Sequence, residues 1–114
     1  MAVISKVALD LNVYQSISWL SMAAGDTGEV HSSANHADRS VQAVGTFSGG
    51  TLSFEGSNDG VNWATLTNLQ GDPIAFVAAG LQQISELTRY VRPSRAGGTG
   101  SNIDVYFIGK QVLK

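Results

Sequence analysis

Apolar residues in this chain recur at every second position, in short runs broken by glycine-bearing turns at intervals of roughly 8–12 residues. "VYQSISWL" (Val13–Leu20), "SVQAVGTF" (Ser40–Phe47), "TLSFEG", "VNWATL", "PIAFVA", "TRYVRPS" and "NIDVYFIGKQVL" follow this rhythm. Gly-Gly, Asn-Asp-Gly, Gly-Asp-Pro, Ala-Gly and Gly-Gly-Thr-Gly lie between them. Side chains two apart share one face of a strand, so such a chain folds as an all-β sandwich or barrel. "AGLQQISELTRYV" offers a helical face through Leu81, Ile84 and Leu87, but it is short and runs into Pro93. A strand or a single turn is predicted there. "GDTGEVHSSANHADRS" (Gly25–Ser40) is polar and small, and reads as a loop around a short strand near Glu29–His31.

The stretch "TLSFEGSNDGVNWATL" (Thr51–Leu66) carries the clearest hairpin signal. Leu52 and Phe54 share one face of their strand, as do Val61 and Trp63 of theirs. Directly paired residues of an antiparallel ladder lie on the same side, so parity predicts that Phe54 pairs with Trp63. Ser57-Asn58-Asp59-Gly60 then forms a four-residue connection around a type I turn. On this expectation Trp63 is a core residue, and Trp63→Ala costs about 3–5 kcal/mol.

With 114 residues, the chain is one domain in length and would bury about two thirds of its unfolded surface. It contains no cysteine, which removes disulfides and thiolate chemistry. Nine acidic and seven basic residues leave a net charge of −2, against a basic nucleic-acid face. Charged residues make up only 14 % of the chain, below the roughly 25 % of an average soluble domain, and 13 residues are glycine. Such a composition suits a small domain much of whose surface faces other protein. "MAVISKVALDLNVYQ" lacks the sustained apolar core of a signal peptide, and the stretch around "SISWLSMAAG" falls short of the ~20 residues of a membrane span. Cytosolic synthesis without membrane contact is expected.

Candidate chemistry is sparse. His31, His36 and Asp38 lie close in sequence, yet histidines five apart match neither a strand face nor the helical spacing of zinc sites, so a solvated loop is expected. There is no nucleophile elbow, phosphate loop or distinctive carboxylate pair, so the expectation is no enzyme and no cofactor or metal. "SNDGVNW" differs from the Asp-box of β-propellers: glycine follows Asp59 directly, and Asn62 replaces threonine. Arg89, Arg92 and Arg95 along "RYVRPSR" form a basic edge, read as solvated or as a contact for an acidic partner. A glycan platform needs an exposed ring beside fixed polar groups. Trp19, Tyr14, Tyr90 and Trp63 are the possible rings and Asn58, Asp59 and Asn62 the polar partners, with Trp19, Asn58 and Asp59 the expected contact.

"TLSFEGSNDGVNWATL", then "GDPIAF", "TRYVRPS", a glycine loop and an apolar last strand, resembles head decoration (cement) proteins of tailed bacteriophages. The resemblance runs from about Gly50 to the C-terminus. It implies an antiparallel β-sandwich, jelly-roll-like, over a single domain of residues 1–114. It further implies attachment outside a mature icosahedral shell, bridging neighbouring capsomers. The partners would be further copies of the chain, in a trimer before a dimer, and the major capsid protein. The protein would be made in the host cytoplasm and reside on the virion surface, without nucleic acid or membrane. Residues 1–12, with alternating Val3, Ser5, Val7 and Leu9, read equally as an arm joining a neighbour's sheet or as the first strand of their own domain. Candidate interface residues are Val3, Val7, Leu9, Arg89 and Arg92. The rival expectation is a carbohydrate-binding or tail-associated adhesion module.

Overall fold

The computed structural model describes residues 2–11, 14–34 and 36–111 of the chain. Its elements are β1 (Val3–Ile4), β2 (Lys6–Leu11), β3 (Tyr14–Ala23), β4 (Thr27–Gly28), β5 (His31–Ser32), β6 (His36–Gly45), β7 (Thr51–Ser57), β8 (Ala64–Thr65), β9 (Ala75–Phe76), β10 (Gly80–Gln83), β11 (Tyr90–Ala96) and β12 (Ser101–Gln111). They form two sheets. One runs β1-β4-β11-β7-β8, with β5 also on β11 and β9 on β7; the other runs β10-β6-β12-β3-β2. Every strand pair is antiparallel except β1 with β4. The all-β sandwich expected from the alternation is the observed architecture, and "GLQQ" is the strand β10 rather than a helix.

The two inner faces meet in one aromatic stack. Phe54 of β7 lies 5.7 Å from Phe107 of β12, nearly parallel to it, and 6.0 Å edge-on from Trp19 of β3. All three are fully buried, among Ile17, Leu52, Val91 and Val105. Trp19 is the indole that fills the core. Its Nε1–H donates to the Glu29 carbonyl at 3.0 Å, which satisfies the one polar atom such a ring takes inside. β4 crosses close above it, since a Cβ on Gly28 would lie 2.7 Å from Trp19 Cδ1.

The hairpin register differs from the expected one. Glu55 pairs with Thr65 and Gly56 with Ala64, and the Leu66 N–H donates to the Phe54 carbonyl at 2.9 Å. Leu66 therefore takes the core position opposite Phe54, and Trp63 falls on the outer face. The cause is the loop. Ser57 Oγ accepts from the Gly60 N–H, and Asp59 Oδ1 accepts from the N–H groups of Val61 and Asn62. These bonds carry the turn past Gly60 and make the connection 58–63. An odd shift of register moves every following side chain to the other side.

The Gly25–Ser40 segment is not a loop. β4, β5 and the start of β6 pass through it, and His31, Ser33, His36 and Arg39 are buried. The N-terminal stretch pairs within its own chain: β1 lies beside β4, and β2 runs along β3 from Lys6↔Trp19 to Leu11↔Tyr14. Met1, Asn12 and Val13 lie outside the described residues.

Candidate functional site

Outward-facing residues of β7 and β11 build the first candidate surface. Arg92 and Glu55 are register partners, and Arg92 Nε donates to Glu55 Oε1 at 3.0 Å. The Arg92 guanidinium also lies over the Trp63 ring, its Cζ 4.2 Å from the centroid. Beside it, Arg89 Cζ stands 5.0 Å from the Tyr90 ring centroid. The 58–63 loop is tied to this face, because Asn58 Oδ1 accepts from the Arg89 N–H at 2.9 Å. Trp, Tyr and Arg are the residue types that dominate binding energy at protein interfaces.

Asp59 is spent inside its own loop. Hydrogen bonds from the Asn62 and Val61 N–H groups, then from Asn62 Nδ2 and the Ser57 hydroxyl, hold its carboxyl well below the usual carboxylate range. Asn58 and Asp59 are therefore turn-forming groups. Trp19, the ring expected to stack on a glycan, is inaccessible in the core. Trp63 is half-buried, with the Arg92 guanidinium over one face of its ring. The three residues expected to contact a sugar form no common site.

The second candidate surface is the outer face of the five-stranded sheet. Its central positions Ser16, Ser18, Ser40, Gln42, Tyr106 and Ile108 carry no charge, and Leu81 stands exposed at the β10 edge. A shallow cleft opens among Ser16, Ser40, Gln42, Leu81 and Tyr106. At the opposite edge Val7 and Leu9 are each 57 % exposed on β2. The proposed interface residues thus divide: Val7 and Leu9 lie on this sheet, Val3 is exposed on β1, and Arg89 and Arg92 belong to the other outer face.

Sequence reasoning missed two buried polar groups. Arg95, expected on a solvated edge, is 1 % exposed and faces inward from β11. Its guanidinium donates to the carbonyls of Met22, Phe47, Thr99 and Gly100 and to Asn102 Oδ1. It joins two loops to the end of β3. The second group is a histidine pair, with His31 Nε2 and His36 Nε2 3.2 Å apart and their rings stacked above Phe107. Lys6 Nζ lies 3.4 Å from His31 Nδ1 and can only donate. With both rings neutral, a Lys6 donor at His31 Nδ1 makes His31 Nε2–H the donor to His36 Nε2. That leaves the proton of His36 on Nδ1, which is buried with no hydrogen-bond partner among the described residues. Burial, then Lys6, then His36 pull the His31 pKa down to about 4; burial and Arg39 also lower that of His36.

The missed signal lies at Asp38, whose φ is +50°. Between Ile108↔Ser40 and Lys110↔Ala37, β6 advances three residues while β12 advances two. The resulting bulge lets both His36 and Arg39 point inward, which strict alternation forbids. Opposite, a Cβ on Gly109 would sit 2.6 Å from His36 Cβ, so glycine is needed there. Among the described residues no group of three or more His, Cys, Asp or Glu is arranged to hold a metal ion.

No family model and no curated protein matches this chain. Solved structures do. The SPBc2 prophage-derived protein YomS is similar with a TM-score of 0.64 at 13 % identity, over 89 % of this chain and 97 % of that one. The cupin domain of Cnp3 from Schizosaccharomyces pombe has a TM-score of 0.43 at 9 % identity, over 93 % of this chain and 59 % of that one. A carbohydrate-binding module from Cellvibrio mixtus lichenase 5A, in complex with cellotriose, has 0.32 at 12 % identity, over 96 % and 86 %. The likeness to YomS is one of fold, across nearly the whole of both chains, and the two lower scores carry no argument.

Proposed function

We propose that this protein is a structural component of a bacteriophage particle, set on the outside of the mature capsid, where copies bridge neighbouring capsomers. The observation that carries the reading is the shared sandwich with a prophage-derived protein of nearly the same extent. The surface supports it. One outer face is uncharged along its centre, and the other presents Trp63, Tyr90, Arg89 and Arg92, residue types suited to protein contact. On this reading the partners are the major capsid protein and further copies of the chain, and the protein performs no chemistry. Many identical copies, each burying a modest area on a rigid lattice, together resist internal pressure through multivalent closure.

The experiment adds purified protein to mature shells that lack it and images them by electron microscopy. Ordered density at the capsomer boundaries is the expected result. A bare shell at saturating protein removes the capsid role, and density confined to the tail moves the protein to a tail component.

A further inference from the structure

β2 is the outer edge of the five-stranded sheet, and among the described residues no strand pairs with its second side. At six residues it is the longest terminal strand of either sheet; β1 and β8 have two and β10 has four. Native edges of this length are normally blunted by proline, a bulge or inward-pointing charge. β2 has no proline and its register on β3 is unbroken, while its inward-pointing Lys6, the register partner of Trp19, has its ammonium held by the Val30 carbonyl at 3.2 Å beside His31. The Lys6 N–H donates to Glu29 Oε1 at 3.1 Å, so it is directed away from the β3 ladder. By alternation the N–H and C=O of Ala8 also face the open side.

The sequence of this edge is complementary to itself. Lys6-Val7-Ala8-Leu9-Asp10 has opposite charges at its ends and aliphatic residues either side of a small centre. Read against a reversed copy about Ala8, Lys6 meets Asp10, Val7 meets Leu9 and Ala8 meets Ala8. We propose that β2 pairs antiparallel with β2 of a second copy about a twofold axis through Ala8, fusing the two five-stranded sheets into one continuous sheet. Ala8↔Ala8 is then a hydrogen-bonded pair flanked by two Lys6↔Asp10 pairs, and with the Lys6 N–H of each copy held by Glu29 about four main-chain bonds form. Opposite charges occupy the flanking register positions, and Val7 and Leu9, both exposed in the single chain, become cross-strand neighbours. A parallel or shifted pairing loses this match. The pairing is isologous, so it gives a dimer where the resemblance to decoration proteins favours a trimer. It goes beyond the capsid reading and is tested without any shell.

The test is sedimentation velocity of the full chain at about 100 µM, where a micromolar dissociation constant, suited to a small interface, leaves mostly dimer. Ala8→Pro removes the central donor at a position whose N–H faces away from its own sheet, so the fold is retained by circular dichroism and the chain sediments as a monomer. Lys6→Glu and Asp10→Lys each set like charges opposite one another and weaken self-association by roughly tenfold or more. Mixed in equal amounts, the two variants restore complementary pairs and form a heterodimer. Should Lys6→Glu fail to fold through loss of its contact with His31, Asp10→Lys alone carries the charge test. A monomeric native chain at this concentration, or a dimer that survives Ala8→Pro, overturns the proposal.

Discussion

Arg92 lies over the Trp63 ring at 4.2 Å while its Nε holds Glu55 at 3.0 Å, so one side chain closes the indole face and pairs the neighbouring carboxylate. The arrangement makes Trp63 part of an outer surface. A guanidinium over one face of the ring competes with a sugar for that face, and an Arg–Trp pair suits protein contact.

Two tryptophans separate by stability. Trp19→Ala empties a fully buried site against Phe54 and orphans the Glu29 carbonyl, at a cost of about 3–5 kcal/mol. Trp63→Ala removes a half-buried ring and one exposed cation–π contact, for about 1 kcal/mol. Urea unfolding of both variants checks the order. A larger loss at Trp63 than at Trp19 would return that indole to the core.

The histidine pair makes stability depend on pH. His31 titrates near 4 in the folded chain and near the ordinary 6.5 once unfolded, so the unfolded state takes up its proton first as pH falls. Its contribution is fully present above about 6.5, declines through the window from 6.5 to 4, and is gone below it. The groups around it, Lys6, His36 and Arg39, are all basic and oppose a further positive charge. Linkage bounds the slope at about 1.4 kcal/mol per pH unit for each histidine, less where solvent screens it. Urea midpoints measured between pH 7 and 4.5 should fall for the native chain and flatten in His31→Gln. Parallel profiles for the two proteins would rule the pair out as the cause.

Alternation and turn residues were enough to place most strands, because inward positions such as Ile17, Trp19, Val41, Ala43, Leu52 and Phe54 keep strict parity. What stayed hidden follows from breaks in that parity. The side-chain bonds of Ser57 and Asp59 lengthen one loop and turn Trp63 outward; the bulge at Asp38 turns His36 and Arg39 inward. Neither event changes the residue pattern from which a register is read. Arg95 escaped for another reason. Its charge argued for the surface, and only folding brings the distant carbonyls of Met22 and Phe47 to the guanidinium beside the local ones of Thr99 and Gly100. The candidate surfaces were legible in part: Val7, Leu9, Arg89 and Arg92 are recognisable as strand or edge residues, while their division between opposite faces depends on which sheet each strand joins.

Arg95 is the last test of how the sandwich closes at one end. Among the described residues no carboxylate pairs with its buried guanidinium, and carbonyl oxygens from Met22, Phe47, Thr99 and Gly100 take the place of a counter-ion. Arg95→Met keeps much of the volume but takes the guanidinium donors from the Met22, Thr99 and Gly100 oxygens, while Phe47 keeps the Gly50 N–H, at a cost of about 3 kcal/mol. Arg95→Lys retains the charge yet cannot spread donors across the same span, since an ammonium is a compact point and guanidinium a planar fork. Lysine should therefore recover less than half of the loss. Denaturant unfolding gives the energies, and amide exchange at Gly50, whose N–H donates to the Phe47 carbonyl at 2.7 Å, reports whether the loop opens. A methionine variant within 1 kcal/mol of the native chain, with Gly50 still protected, would show that the backbone holds these loops unaided.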